Sequence, residues 1–476
     1  MSAARSPLRK AAVLLMQASL LSSALAAPML AAPGPAFAQD DDTPLSVNLA
    51  NDTAERKPGD KPVAGSLEAG IWTASDKAEQ QARTSGERDN DPALNAYVSG
   101  VLTRITGPFS GDVRAYVMDR PFFNASMAPN GYTEVWTGLL LRCQTEDELA
   151  FVLGHESGHF RHNHVIKTYQ AAKSGQDAAL AATFLLAVAA AGASANATSY
   201  QQLSQINNIT SGLIDVVYLG ALAAYFSYSR ETEGQADAYG LIYMRQAGYF
   251  PGAAAQIWRE RLDETAASDF EKVRKSPARI NVFGDHPLET ARVTALAAQD
   301  KAANHGAEST RSDADAKAAR LAYREHIRPY LGAFLKDDLR RQDYGQTIFI
   351  INRLSIDGAD LGVLDFYKGE AYRLRAKTGP DGSDLENAVQ AYKAALAAPD
   401  APKETNRQLG EVLRRLGDNK EALDALNAYL AAAPTADDAW IVQDEVDTLA
   451  KSAPAATQTD TPAAPSATTS SGGTPS

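Results

Sequence analysis

The chain has a single cysteine, Cys143, among 476 residues. No disulfide can form within one molecule, and a lipid anchor on a leader cysteine is excluded because none lies near residues 24–39. Cys143 follows the apolar run Leu139-Leu140-Leu141 and reads as a packing residue rather than a nucleophile. Basic excess is missing too. The net charge is −12 and the acidic residues are scattered, which argues against a nucleic-acid partner. Long apolar runs are also short. Residues 178–214 carry no charge, yet their apolar part, 178–191, falls below the roughly 20 residues that a membrane span needs. With the apolar residues 216–228, that stretch reads as a buried or membrane-surface helix, compatible with peripheral membrane contact. Histidine is scarce, seven residues in all, so its clustering carries weight.

At the start, Arg5, Arg9 and Lys10 precede an uncharged, Ala/Leu-rich stretch over 11–27. Ala36-Phe37-Ala38 then places small residues where a signal peptidase reads them, and Ala24-Leu25-Ala26 offers a second site. Residues 1–38 are therefore expected to be a signal peptide cleaved near Ala38. An exported chain of this size without disulfides fits a periplasm. Residues 39–90, rich in Asp, Pro, Gly and Lys, read as a linker with one short helix.

Globular patterning covers 91–300. Leu94, Tyr97, Val98, Val101 and Leu102 recur at helical spacing, and residues 113–118 and 132–137 alternate as short strands around the turn Pro129-Asn130-Gly131. Thr145 with Glu148 three residues on forms a capping box that opens another helix. From 310 to 451 the texture is helical. Ala388, Ala391, Tyr392 and Leu396 return 34 residues later as Ala422, Ala425, Leu426 and Leu430, each block ending in a proline, Pro399 or Pro434. That period, with Gly369 and Gly410 centred in the preceding helices, is the tetratricopeptide pattern. Residues 452–476, rich in Ala, Thr, Pro and Ser, read as a disordered tail. The expected fold class is α+β, mostly α: a domain with a small sheet, then helical tetratricopeptide-like repeats.

The chemistry concentrates at Gly154-His155-Glu156-Ser157-Gly158-His159. Histidines four residues apart share one helix face, so both rings can reach one metal ion, and Glu156 stands where it can activate water. A catalytic zinc takes three protein ligands and leaves a fourth position open. Glu233 is the candidate third ligand, with Asp237 one turn later to accept the other ring N–H of a liganding histidine. Glu231 is a rival, without a carboxylate at i+4. His162 and His164 are not needed as ligands. One Zn²⁺ per chain is the expected cofactor. A dimetal oxidase would need a second Glu-x-x-His pair, and the chain has none.

The histidine motif, with His164 nine residues after its first ligand, together with Ser229-Arg230-Glu231-Thr232-Glu233-Gly234-Gln235-Ala236-Asp237, resembles the paired motifs of the HtpX and CAAX-prenyl-protease superfamily of zinc metallopeptidases. Asn124-Ala125 and Thr137-Gly138-Leu139-Leu140 resemble that family's cleft-edge strand and the lead-in to its active-site helix. The resemblance implies a zincin-type metallopeptidase domain over 91–300 and peptide-bond hydrolysis with Glu156 as general base. It also implies that His286, in Gly284-Asp285-His286-Pro287, can occupy the fourth zinc position and hold the enzyme latent. Arg230 and Arg292 are the candidates for oxyanion stabilisation. The strand near 132–137 is expected to pair with extended substrate. Exported repeat-bearing members suggest unfolded or misassembled, outer-membrane protein substrates and docking of assembly machinery on the repeats. The alternative is a chaperone or assembly scaffold whose zinc site is latent or structural.

Overall fold

The computed structural model describes residue 49 and residues 55–171, 230–275, 290–377 and 382–452. The expected signal peptide, the whole uncharged stretch, His286 and the C-terminal tail after residue 452 lie outside the described residues. Among the described residues no helix is long and apolar enough to cross a membrane.

Helix α1 (Leu67–Thr84) occupies the stretch expected to be mostly linker. Ser66 caps it by accepting from the Ala69 N–H at 3.1 Å. Its buried face is Ile71, Ser75, Glu79 and Ala82, half of it polar, which is why hydrophobic periodicity does not announce it. Glu79 accepts from the Arg114 guanidinium and from Tyr116 Oη at 2.8 Å, tying α1 to the sheet. Helix α2 (Pro92–Thr106) starts at Asp91, which accepts from the N–H groups of Ala93 and Leu94, and buries Leu94, Val98, Val101, Leu102 and Ile105.

Strands β1 (Arg114–Met118), β2 (Ala125–Met127) and β3 (Tyr132–Trp136) form one sheet in the order β1-β3-β2. β3 runs parallel to β1 and antiparallel to β2. β3 is therefore central, and the expectation that this strand pairs with substrate is corrected: both its edges are already used. The free edge nearer the metal helix belongs to β2.

Helix α3 (Thr137–Arg142) leads into α4 (Glu146–Arg161). Thr145 Oγ1 accepts from the Glu148 N–H at 3.3 Å, while the Glu148 carboxylate reaches back to the Gln144 N–H at 2.6 Å, one residue beyond the usual box partner. Leu139, Leu140, Leu141, Cys143, Leu149, Phe151 and Leu153 are all fully buried around it, so Cys143 is packing. Helix α5 (His164–Ala171) follows a tight turn, then come α6 (Arg230–Gln246), α7 (Ala253–Ala266), α8 (Glu271–Lys275) and α9 (Thr290–Ala303).

The core does not stop near residue 300. Helices α10 (Asp313–Ile327), α11 (Leu331–Leu339) and α12 (Tyr344–Leu354) contribute Tyr323, Ile327, Leu331, Leu335, Ile350 and Ile351 to the same hydrophobic cluster as Leu94, Leu140 and Phe151. A second cluster starts with α13 (Leu361–Arg375) and runs through α14 (Asp384–Leu396), α15 (Thr405–Leu416), α16 (Asn419–Ala432) and α17 (Ala439–Ser452). Here Gly369 faces the Tyr392 ring and Gly410 faces the Leu426 side chain so closely that an added Cβ would overlap each. Tyr392 and Leu426 are the positions related by the 34-residue period, so the two helix pairs cross at equivalent points.

Candidate metal centre

Two helices meet through small residues. A Cβ on Gly240 of α6 would stand 2.9 Å from the His155 nitrogen, and one on Gly154 of α4 would stand 3.2 Å from the Gly240 oxygen. Gly158 lies against Ala236 in the same way. This close approach lets the short side chain of Glu233 on α6 reach the histidines of α4.

The result is a triangle of donors. His155 Nε2 and His159 Nε2 are 3.1 Å apart, His155 Nε2 is 3.6 Å from Glu233 Oε2, and His159 Nε2 is 3.5 Å from Glu233 Oε1. A tetrahedral ion with bonds of about 2.0–2.1 Å requires donors roughly 3.3 Å apart, so the three side chains fit zinc. Each is buried, and they are the one such cluster among the described residues. Glu231, the rival, is exposed on the first turn of α6. Glu156 is buried on α4 beside the first ligand, where a base would be required.

Asp237 sits where expected. The His155 ring donates from Nδ1 to Asp237 Oδ1 at 2.9 Å, which puts the ring proton on Nδ1 and the lone pair on Nε2, the nitrogen facing Glu233. Burial alone would push the Asp237 carboxyl up, but the Arg292 guanidinium and His155 hold it below the ordinary range. Arg292 donates from Nε to Asp237 Oδ2 at 2.7 Å and from Nη2 to Oδ1 at 2.6 Å, and its Nη1 lies 3.3 Å from Glu233 Oε2. It is buried over the Trp258 ring, 4.1 Å from the centroid. Arg292 is a candidate for oxyanion stabilisation, and these donors face the carboxylates of Asp237 and Glu233. Arg230 opens α6, and its side chain lies outside the described residues.

His162 and His164 are not part of the donor triangle. His162 stacks on Tyr239 at 3.6 Å between ring centroids and pairs its Nε2 with Tyr243 Oη at 3.1 Å. His164 Nδ1 stands 3.0 Å from His159 Nδ1. Neither partnership is visible in a linear spacing. The ordered pair His159 and His164, five apart across a helix end, is the nearest signal.

Helix, central glutamate, two histidines and a carboxylate from a second helix define a metallopeptidase domain. Residues 90–300 match peptidase family M48, and the chain carries a domain of that family over those residues. A Vibrio cholerae protein provisionally named a beta-barrel assembly-enhancing protease is 30% identical over 213 residues, covering 43% of this chain and 39% of the relative. The mitochondrial metalloendopeptidase OMA1 of Schizosaccharomyces pombe is 32% identical over 170 residues, 35% of this chain and 43% of that protein. The metalloprotease LoiP of Escherichia coli K12 is 28% identical over 232 residues, 47% of this chain and 78% of that protein. The chain spans less than half the length of the first two relatives.

Proposed function

We propose that the protein is a zinc-dependent endopeptidase exported to the periplasm, acting on misfolded or stalled, outer-membrane proteins. The observation that carries the enzymatic part is the donor triangle of two histidines and Glu233, backed by Asp237 and set beside a buried Glu156. When bound, zinc supplies Lewis acidity, which acidifies water toward a pKa of about 7 and polarises the scissile carbonyl. The Glu156 carboxylate takes the proton of the attacking water and returns it to the leaving amine nitrogen. His155 and His159 would hold the ion through Nε2, and the apolar packing of Leu149, Phe151 and Leu153 excludes bulk water from behind the helix.

Extended substrate pairs with β2. Trp136 N–H donates to Asn124 O at 3.1 Å and Ala128 N–H to Tyr132 O at 2.8 Å, so the alternation of an antiparallel ladder turns the backbone groups of Ala125 and Met127 toward the free edge. Backbone pairing reads no side chain and suits broad specificity. Control then matters. His286 is proposed as a regulatory fourth ligand, and His286→Ala should raise proteolysis; unchanged proteolysis removes that role. The helices from α13 to α17 are proposed as tetratricopeptide-like, offering a surface for unfolded proteins or assembly machinery. Support for export is the basic, then Ala/Leu-rich, leader, and for an exported chain the lack of a cysteine pair suits a periplasm.

Glu156→Gln tests the central claim. Zinc is expected to remain bound at one per chain while casein cleavage is lost. Loss of cleavage with cellular function intact would instead favour a scaffold with a latent or structural zinc site.

A further inference from the structure

A segment ahead of the family domain reaches the turn that follows the metal-site helix. Arg56 precedes residue 90, where the family match begins, yet its side chain is buried. Its backbone N–H donates to Arg161 O at 2.8 Å, at the end of α4. Its Nη1 donates to Pro129 O at 2.7 Å, in the turn between β2 and β3, and its Nε donates to Asn163 Oδ1 at 3.0 Å, with Nη2 reaching the same oxygen. The guanidinium lies over the Phe160 ring, 4.3 Å from the centroid. Asn163 holds φ at +55°, in the left-handed region that asparagine tolerates better than most residues. There the chain turns from α4 into α5, and the turn brings His164 back against α4, where its Nδ1 is 3.0 Å from His159 Nδ1.

His159 directs Nε2 into the donor triangle. When that nitrogen offers its lone pair, the ring proton resides on Nδ1, which then donates to His164 Nδ1. We propose that His164 is the positioning residue of His159, fixing its tautomer and ring orientation, and that Arg56 holds the turn that places His164. His155 leans on Asp237 and His159 on His164, so each liganding ring has its own buried partner. The inference rests on reading His155, His159 and Glu233 as the metal ligands.

The test measures zinc affinity of the full chain by competition with a chromogenic chelator, alongside the thermal midpoint of the zinc-free protein. His164→Ala should weaken zinc by about 10–100-fold. His164→Asn, whose side-chain oxygen can accept near the place of Nδ1, should recover most of that loss. Arg56→Ala should weaken zinc as well, and the double variant should bind no more weakly than His164→Ala alone, since both act through one bond. Unchanged affinity in His164→Ala overturns the proposal, and independent, additive losses overturn the Arg56 part. Should the alanine variant not fold, His164→Asn against His164→Leu decides: weaker zinc in the leucine variant supports the role, and equal zinc removes it. A wild-type protein that takes up no stoichiometric zinc sinks the metal reading itself, and this inference with it.

Discussion

Glu233, Asp237 and Arg292 share one buried volume, two negative charges against one positive before any ion arrives. Removing Arg292 takes a buried cation from beside both carboxylates. Arg292→Ala is therefore expected to cost about 3–5 kcal/mol of stability in the presence of a chelator. The loss should be smaller in the zinc-loaded protein, because the ion replaces the missing positive charge. Urea denaturation with and without chelator measures the difference, and equal losses would assign Arg292 to packing on Trp258 instead. A second residue shows the opposite sign. Partial burial, then the neighbouring Asp89, Asp337 and Glu87, push Asp119 up to about 6. A carboxyl raised on folding costs stability once pH passes that value, and costs nothing below its unfolded pKa of about 3.8, where both states are protonated. Asp119→Asn should thus raise the thermal midpoint at pH 7 to 8 and leave it unchanged near pH 3. A gain that persists in acid would show that charge is not the cause.

At the scale of elements, the metal site depends on how closely α4 and α6 approach. Gly240→Ala would put a methyl 2.9 Å from the His155 nitrogen, against backbone that cannot swing aside. The expected outcome is a loss of about 1–3 kcal/mol together with weakened zinc binding, as Glu233 is pushed from the histidines. Gly100→Ala in α2 is the contrasting control. Nothing lies within 4 Å of its added Cβ, so helix propensity should make it neutral or stabilising by up to about 1 kcal/mol. If both variants bind zinc like wild type, close helix packing is not what delivers Glu233. This also explains which parts of the site are legible in sequence. His155, Glu156 and His159 lie within one helical turn, and Glu233 with Asp237 repeats that local spacing, so i, i+4 periodicity exposes both halves. The Arg292–Asp237 pair spans 55 residues, and the Arg56–Asn163 bond spans 107. No periodicity encodes such distances. The length of helix α1 escaped for a different reason: its buried face carries Ser75, which donates back to Ile71 O within the helix, and Glu79, satisfied by Arg114 and Tyr116 that only the folded sheet brings to it. The edge position of β2 is carried only by the resemblance at Asn124-Ala125, because β1 and β3 pair in parallel and a parallel order does not follow from adjacency in the chain.

For the whole molecule, the question is where the peptidase ends. The family match stops at residue 300, but the core it encloses is closed by Tyr323, Ile327, Leu331, Leu335 and Ile351 from later helices. A buried ionic cluster crosses the same boundary. Arg142, just ahead of α4, donates from Nε to Glu264 at 2.9 Å and from Nη2 to Asp338 at 2.7 Å, and Asp338 also accepts from Thr347 Oγ1 at 2.7 Å. Tyr323 Oη donates to Leu140 O at 2.7 Å. A chain ending at residue 309 would expose that apolar surface and leave Arg142 without Asp338 and Glu264 without Arg341, so it should be insoluble or unfolded. A chain ending at residue 377 keeps the whole first cluster, losing only the helices that pack on Tyr392 and Leu426. It should fold and bind zinc at one per chain. Circular dichroism and metal analysis of the two truncations distinguish these outcomes. A well-folded, zinc-binding chain ending at 309 would show that α10 to α12 are accessory, and that the repeats begin where the sequence alone suggests.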